Sequence, residues 1–342
     1  AKHGTLAIGP ERIAPLSIHR AAQDEDFLKI ASWGSARDVA LIRHLKQFRT
    51  LKEFLQRRGV RPRQGFTRGI EDRPIPQKIM GWPCLEGEPL RPFGMTPERL
   101  KRLQTGRMER PRKAAIYYGP LFLFTLGLSD TGLTFAICAD NLVYSQRYYG
   151  VSLRDHSLDS WPRYLNAIIN SSLATYFVFL TAAEWGVERD NVNGADFMRL
   201  PVPEMPAADS PTVQRVVEVE RELRTLALQG RTISDQRRRE LDTAVCDLYG
   251  LDARQRILVQ DMLRVTIDFQ REVDQSTSLL KPSADQLAAY TEQFISVIND
   301  FLSLRNERKT TAEIFELPTN CPLQVLRFAM VPRSHRGRNV RI

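Results

Sequence analysis

YLNAIINSSLATYFVFLTAAEWGVERDNVNGADFMRLPVP, residues 164–203, is the stretch whose reading decides the fold. Its apolar positions Tyr164, Leu165, Ile168, Ile169, Leu173, Tyr176, Phe177 and Leu180 recur every three or four residues, which predicts a helix. The polar run Asn170-Ser171-Ser172 interrupts that helix, and a loop then leads into Leu200-Pro201-Val202-Pro203. Residues 164–183 carry no charge, a length that raises the question of a membrane span. Asn166, Asn170, Ser171, Ser172, Thr175 and Thr181 make the segment amphipathic, so a buried core helix is expected and no membrane partner. The stretch reads as the join between two halves.

Charge separates those halves. Of the 342 residues, Ala1 to Tyr118 hold 24 Lys/Arg against 12 Asp/Glu, whereas the remaining 224 hold 25 against 28. A basic half joined to a nearly neutral one points to a polyanion on one side and packing or assembly on the other; the alternative is a set of solvated Arg-rich faces. The strongest polyanion signal is the run from Arg57 to Gly69, with Arg57, Arg58, Arg61, Arg63 and Arg68 around Gln64. Arginine pairs bidentately with phosphate or a guanine edge, and glutamine does the same for adenine. Gly59, Gly65 and Gly69 are expected to let backbone approach a ligand. A second basic stretch holds Arg99, Lys101, Arg102, Arg107, Arg110, Arg112 and Lys113.

Around these runs, Ala1 to Ala22 reads as irregular, and Asp24 to Ile30 starts a short helix that ends near Trp33-Gly34. Ser35 is the expected N-cap of a helix over 36–49, and Thr50 that of a helix over 51–58. Glu71 to Pro97 reads as a long loop or short strands, with Thr96 and Pro97 opening a short helix. AAIYYG, PLFLFTLG and LTFAICA, within 114–139, read as strands around a Ser129-Asp130-Thr131-Gly132 turn, and 141–149 as a further strand. Asp159 or Ser160 is expected to cap the central helix. Beyond a proline-rich hinge at 206–211, helices are expected over 212–229 and 235–249, with Gly250 as a stop and Asp252 capping a helix to about Val273. A helix over 283–304, a strand pair at 312–317 and 323–331, and a disordered basic tail from Arg333 complete the chain.

Catalytic signatures are missing. There is no GxxxxGK loop, HExxH or GxSxG. His3, His19, His44, His156 and His335 are scattered, and Cys84, Cys138, Cys246 and Cys321 form no CxxC pair, so no metal site and reduced cytosolic thiols are expected. The opening residues do not read as a signal peptide.

Four landmarks in order carry a family resemblance. They are Trp33-Gly34-Ser35 with Asp38; Gln64-Gly65-Phe66 with Gly69; the quoted stretch with its Asn170-Ser171 and Pro201-Val202-Pro203; and Leu241-Asp242-Thr243-Ala244-Val245-Cys246-Asp247-Leu248-Tyr249-Gly250-Leu251. Over roughly residues 33–263 the chain resembles the C-terminal half of adenine-specific N6 DNA methyltransferases of restriction–modification and phage-defence systems. Such enzymes carry a Gly-rich S-adenosylmethionine site and an (N/D)PP(Y/F/W) tetrapeptide, and neither is present here. The chain, which begins at Ala1 without a methionine, is therefore expected to be either a fragment of a longer enzyme or a separate specificity subunit.

The resemblance implies an α+β chain: a mixed α/β target-recognition domain, a helical bundle or coiled-coil arm, and a small C-terminal α+β element. The expected division is a helical connector over 1–60, recognition domain over 61–206, arm over 211–281 and C-terminal element over 282–342. The implied function is sequence-specific recognition of double-stranded DNA in the cytoplasm, with no catalytic residue or cofactor in this chain and S-adenosylmethionine in a catalytic partner domain or subunit. Expected DNA contacts are Arg57, Arg58, Arg61, Arg63, Gln64, Arg68, Arg107, Arg110, Arg112 and Lys113. Self-association through the helical arm is a further expectation. The competing readings are an assembly subunit that docks a partner through that arm, and a nuclease whose metal carboxylates are not evident.

Overall fold

The computed structural model describes residues 18–70, 73–125, 133–158, 161–187, 191–205, 210–271, 276, 280–303, 307–315, 324–335 and 340–341. Helices take about 47% of the chain and strands 19%, and among the described residues the strands are divided among five small sheets, so the fold is α+β. It forms two compact units, Ala1–Arg271 and Glu272–Ile342. Residues 1–271, expected as connector, recognition domain and most of the arm, thus fall in one unit with a shared hydrophobic core, while 272–281, expected as the end of the arm, fall in the other.

The first unit opens with α1 (Ile18–Gln23), in a region expected to be irregular, then α2 (Phe27–Trp33) and α3 (Ala36–Leu45). Ser35 caps α3 through a capping box with Asp38, and Thr50 caps α4 through one with Glu53. Between them α3 ends before Arg49, because β1 (Arg49–Thr50) leaves the helix to pair with Pro201–Val202, and α4 spans Leu51–Arg57. Short strands follow: β2 (Arg63–Gln64), β3 (Arg73–Pro74), β4 (Cys84–Leu85), β5 (Phe93–Gly94) and β6 (Arg107–Met108). The helix expected at Thr96 is a turn. The AAIYYG stretch is a 3₁₀ turn, Ala114–Tyr117, and not a strand.

β7 (Leu121–Thr125), β8 (Phe135–Cys138), β9 (Val143–Tyr144) and β10 (Tyr148–Ser152) come next. The Ser129–Gly132 turn, the Asp159 and Ser160 caps and most of the proline-rich hinge lie outside the described residues. The principal sheet runs β2-β10-β7-β8-β5. Strand alternation divides its two faces between two cores. Phe122, Phe124, Phe135, Ile137 and Val151 enter a helical core, while Leu121, Leu123, Ala136, Cys138 and Tyr148 enter a loop-built core with Phe66, Met108 and Tyr144.

The quoted stretch supplies the helical face. It forms α5 (Trp161–Ile169) and α6 (Ser172–Thr181), then α7 (Gly194–Met198) and β11 (Pro201–Val202). The helix breaks where expected, because Asn170 is spent on the sheet: its amide oxygen accepts from Phe135 N and its nitrogen donates to Phe135 O, both at 3.1 Å. Ser171 then caps α6. Burying a large apolar side chain contributes roughly 1.5–3 kcal/mol, and Leu173 through Thr181 are all buried.

The expected arm lies against this core. α8 (Pro211–Leu228) and α9 (Asp235–Leu248) bury Val213, Val216, Leu223, Leu241, Ala244 and Val245 in it. Their apolar sides are used inside the unit, so they do not stand apart as a coiled-coil arm. Gly250, at φ 67°, stops α9 and Asp252 caps α10 (Ala253–Asp261) as expected. The single helix expected beyond it is instead divided by a π-helical segment, Met262–Ile267, before α11 (Asp268–Arg271).

The second unit contains α12 (Ala284–Ser303), β12 (Arg308–Phe315), β13 (Val325–Pro332) and β14 (Val340–Arg341). The strand order is β13-β12-β14. The tail expected to be disordered therefore contributes a strand, with Val340 beside Ala312 and Arg341 beside Glu313. Among the described residues, no helix is long and apolar enough to cross a membrane.

Candidate nucleic-acid interface

Three of the four landmarks interlock on the helical side of the first unit. Ser172 donates from N and from Oγ to the Asp242 carboxylate, at 2.8 and 2.6 Å. Burial pushes that carboxyl above its usual range, and the two Ser172 donors oppose the shift. Tyr176 donates to Asp38 at 2.8 Å. Tyr249 donates to Pro201 O at 2.6 Å and Tyr164 to Pro203 O at 3.2 Å, fixing the Pro-Val-Pro exit. Asn166 donates to Phe93 O and to Glu220, at 2.8 and 2.7 Å. The landmarks are structural: each satisfies a buried polar group that would otherwise cost stability.

The two basic stretches meet on the other side of the sheet. Thr67 and Arg110 exchange backbone hydrogen bonds of 3.3 and 3.2 Å, and Glu109 N donates to Arg68 O at 2.8 Å. Arg112 Nε donates to Gly65 O, 47 residues away, at 3.0 Å. β3 and β6 prolong the contact, with Arg73 opposite Met108 and Pro74 opposite Arg107. Arg63, Arg68, Arg73, Arg107, Arg110 and Lys113 are exposed along these joined ribbons. Gln64 is half-buried and donates to Gln146 O at 2.8 Å. The result is a basic ledge on a hydrogen-bonded backbone.

Its glycines serve the chain itself. A Cβ at Gly65 would lie 1.9 Å from Tyr144 O, and one at Gly69, where φ is +50°, would lie 1.6 Å from Glu109 Oε2. Gly59, at φ +70°, follows the end of α4 with open space around it. Close backbone packing accounts for Gly65, and a left-handed turn for Gly69.

Two clefts flank the ledge. One, of about 840 Å³, is lined by Arg68, Lys101 and Arg102 but also by Glu86 and Glu88. Arg68 forks onto Glu86, its Nη2 at 2.8 Å. Backbone donors at Glu86 and Gly87 hold Glu88 below the usual carboxylate range. Burial, with Glu86 adding to it, pushes the Cys84 thiol up to about 12. This cleft is of mixed charge and less suited to phosphate than the ledge. The other, of about 600 Å³, lies between Lys52, Arg61, Tyr149 and Asn193.

No protein-family model matches the chain, and no curated protein does.

The expected contact residues fall into distinct settings. Arg63, Gln64, Arg68, Arg107, Arg110, Arg112 and Lys113 belong to the ledge, although Arg68 shares its charge with Glu86 and Arg112 is half-buried. Arg61 is exposed at the second cleft. Arg57 and Arg58 turn instead toward Glu204, each at 3.6 Å, where Arg49 also pairs. Arg58 lies 3.5 Å over the Phe54 ring and donates to Phe54 O at 3.0 Å. Burial lowers its pKa against the pull of Glu204. It is a packing residue here. Arg49, Arg73 and Arg147 lie outside the expected contact set. Arg73 continues the basic run past Gly69, and Arg147 Nη1 lies 3.9 Å from where a Cβ would stand at Gly87.

Proposed function

We propose that the first unit is a duplex-DNA recognition module of an adenine-N6 DNA methyltransferase system, working beside a catalytic partner that holds S-adenosylmethionine. The observation that carries this reading is the joining of two separate basic stretches into one ledge by the Thr67–Arg110 and Gly65–Arg112 bonds. Exposed arginines on a rigid ladder give register and salt-dependent affinity through phosphates, while the few loop side chains between them reach base edges. A partner that modifies adenine must extrude it from the stack, and a ledge of this kind grips the duplex meanwhile.

The chain's own residues bind and orient; methyl transfer is left to the partner, because this sequence has neither the Gly-rich cofactor loop nor the catalytic tetrapeptide. The test is fluorescence anisotropy with labelled duplexes across a salt series. Affinity should fall steeply with salt and differ among duplex sequences. Absence of binding at low salt, with or without a methyltransferase catalytic subunit, would refute the proposal. A second reading, docking of a partner protein, draws on the exposed Ile257, Val265 and Phe269 of the last helical segments of the unit. Light scattering with that catalytic subunit separates it, since docking without DNA affinity would favour assembly alone.

A further inference from the structure

The second unit is a two-layer element with half a layer open. Thr310, Ala312 and Ile314 of β12 are buried. Across the antiparallel ladder they stand opposite Met330, Phe328 and Leu326 of β13, which therefore share that face. Phe294 of α12 reaches Phe328, ring centres 4.5 Å apart. Yet Phe328 and Met330 remain 38% and 50% exposed, as do Tyr290 (57%), Phe294 (37%), Val297 (56%) and Phe301 (80%) on α12. These helix positions are spaced four, three and four apart, the pattern of a helix–helix seam. α12 thus has two apolar sides, and only one meets its own sheet.

The sheet edge beside this face is also open. Arg333 N donates to Glu307 O at 2.8 Å, and Thr311 Oγ1 to Ala329 O at 3.4 Å. By alternation, the odd-numbered residues of β13 bond to β12, so the N–H and C=O groups of Leu326, Phe328 and Met330 point away from it. On the far side of β12, Asn299 takes both Thr310 groups, at 2.6 and 3.1 Å, and β14 pairs beyond. β13 is consequently the one long open edge among the described residues. Within β13 the usual edge protections are few: no proline stands before its last residue, Pro332, and its one charge, Arg327, lies on the reverse face 3.9 Å from Glu313.

We propose that the occupant is a second copy of this chain, pairing β13 with β13 antiparallel about a two-fold axis at Phe328. In that register Phe328 faces Phe328, Leu326 faces Met330 and Arg327 faces Ala329. Every outward N–H and C=O of these residues is then used. Sliding one step one way sets Pro332, which has no N–H, against Leu326; sliding one step the other way sets Arg327 against itself. The two-fold axis places both α12 helices on the same face of a continuous sheet, with their Tyr290–Phe301 seams turned toward each other over the Phe328 pair. The exposed parts of these six side chains amount to roughly 600 Å² per copy, which brings the pair to the lower bound of specific interfaces. The strand is self-complementary in bonds, charge and apolar face.

Sedimentation equilibrium and light scattering of the full chain, without DNA, test this. A reversible dimer is expected at tens of micromolar. Met330→Pro removes an outward N–H and an interface side chain but no bond to β12, and should give monomers of unchanged circular dichroism; Val297→Glu with Phe301→Glu, which touches no ladder bond, should do the same. In a Cys321→Ser background, Phe328→Cys should oxidise to a covalent dimer and Met330→Cys should not. A chain monomeric throughout, a dimer that survives both disruptions, or cross-linking through Met330→Cys in place of Phe328→Cys would overturn the proposal. So would occupation of the edge by a different protein with no self-association.

Discussion

The two faces of the principal sheet are built on opposite plans. On the helical face, buried and part-buried polar side chains lock one element to another: Asn170 to β8, Ser172 to Asp242, Tyr176 to Asp38, Tyr249 to Pro201. On the loop face, backbone ladders and close glycine packing hold the chain while the charged side chains are left outside. The patterned landmarks therefore belong to the supporting half. The unpatterned basic loops carry the exposed charge, because charge is cheapest in solvent and a core excludes it.

Breaking the helical face should give the largest effect. Asp242→Ala leaves the Ser172 N–H and hydroxyl without that partner in a part-buried site, and should cost about 3 kcal/mol in urea denaturation. A loss under about 1 kcal/mol would mean that this interlock does little. Gly65→Ala attacks the loop face, since its Cβ would meet the Tyr144 carbonyl. It should cost about 2 kcal/mol, and hydrogen exchange should rise at Thr67 and Arg110 before it rises in α6.

Charge reversal sharpens the contrast without touching either core. Arg61→Glu with Arg63→Glu should weaken DNA binding about 10- to 100-fold at low salt and leave the melting temperature nearly unchanged. Arg237→Glu with Arg238→Glu, on α9, should do much less. Equal effects would place the contact surface elsewhere. The smallest effect concerns Lys29, which donates to Ala182 O on the helical side. Burial pulls its pKa from 10.5 down to about 8, against Asp196 and Asp26. Below about pH 8 it is protonated in both states and its burial disfavours the fold. From about 8 to 10.5 the unfolded chain alone holds the proton, so stability should rise with pH across that window. Lys29→Met should remove the rise, shifting melting temperature by roughly a few degrees.

Local chemistry was legible where a residue acts on its own neighbours. Ser35, Thr50, Gly250 and Asp252 act within one or two turns, and their caps and stops stand where the sequence puts them. The break at Asn170-Ser171 was legible as a break, but not its cause, since Phe135 lies 35 residues upstream. Short strands fared worse. AAIYYG has strand-like composition, yet Ala114–Tyr117 coils as a 3₁₀ turn, with Tyr117 and Tyr144 edge to face in the loop core. Thr96-Pro97 has helix-opening chemistry but no apolar stripe behind it, and remains a turn.

The sequence by itself determined the periodic helices, their caps and the asymmetry of charge, because these depend on residues a few positions apart. Tertiary structure alone decided which arginines face outward. Arg58 and Arg63 read alike in a basic run, but Phe54 and Glu204 draw one inward and the edge strand leaves the other in solvent. It also decided that residues 164–203 support the basic ledge from the far side of a sheet. The alternation of β7 and β8 sends their phenylalanines to that stretch and their smaller residues to the loops. Distant contacts set such outcomes, and no window of sequence contains both partners.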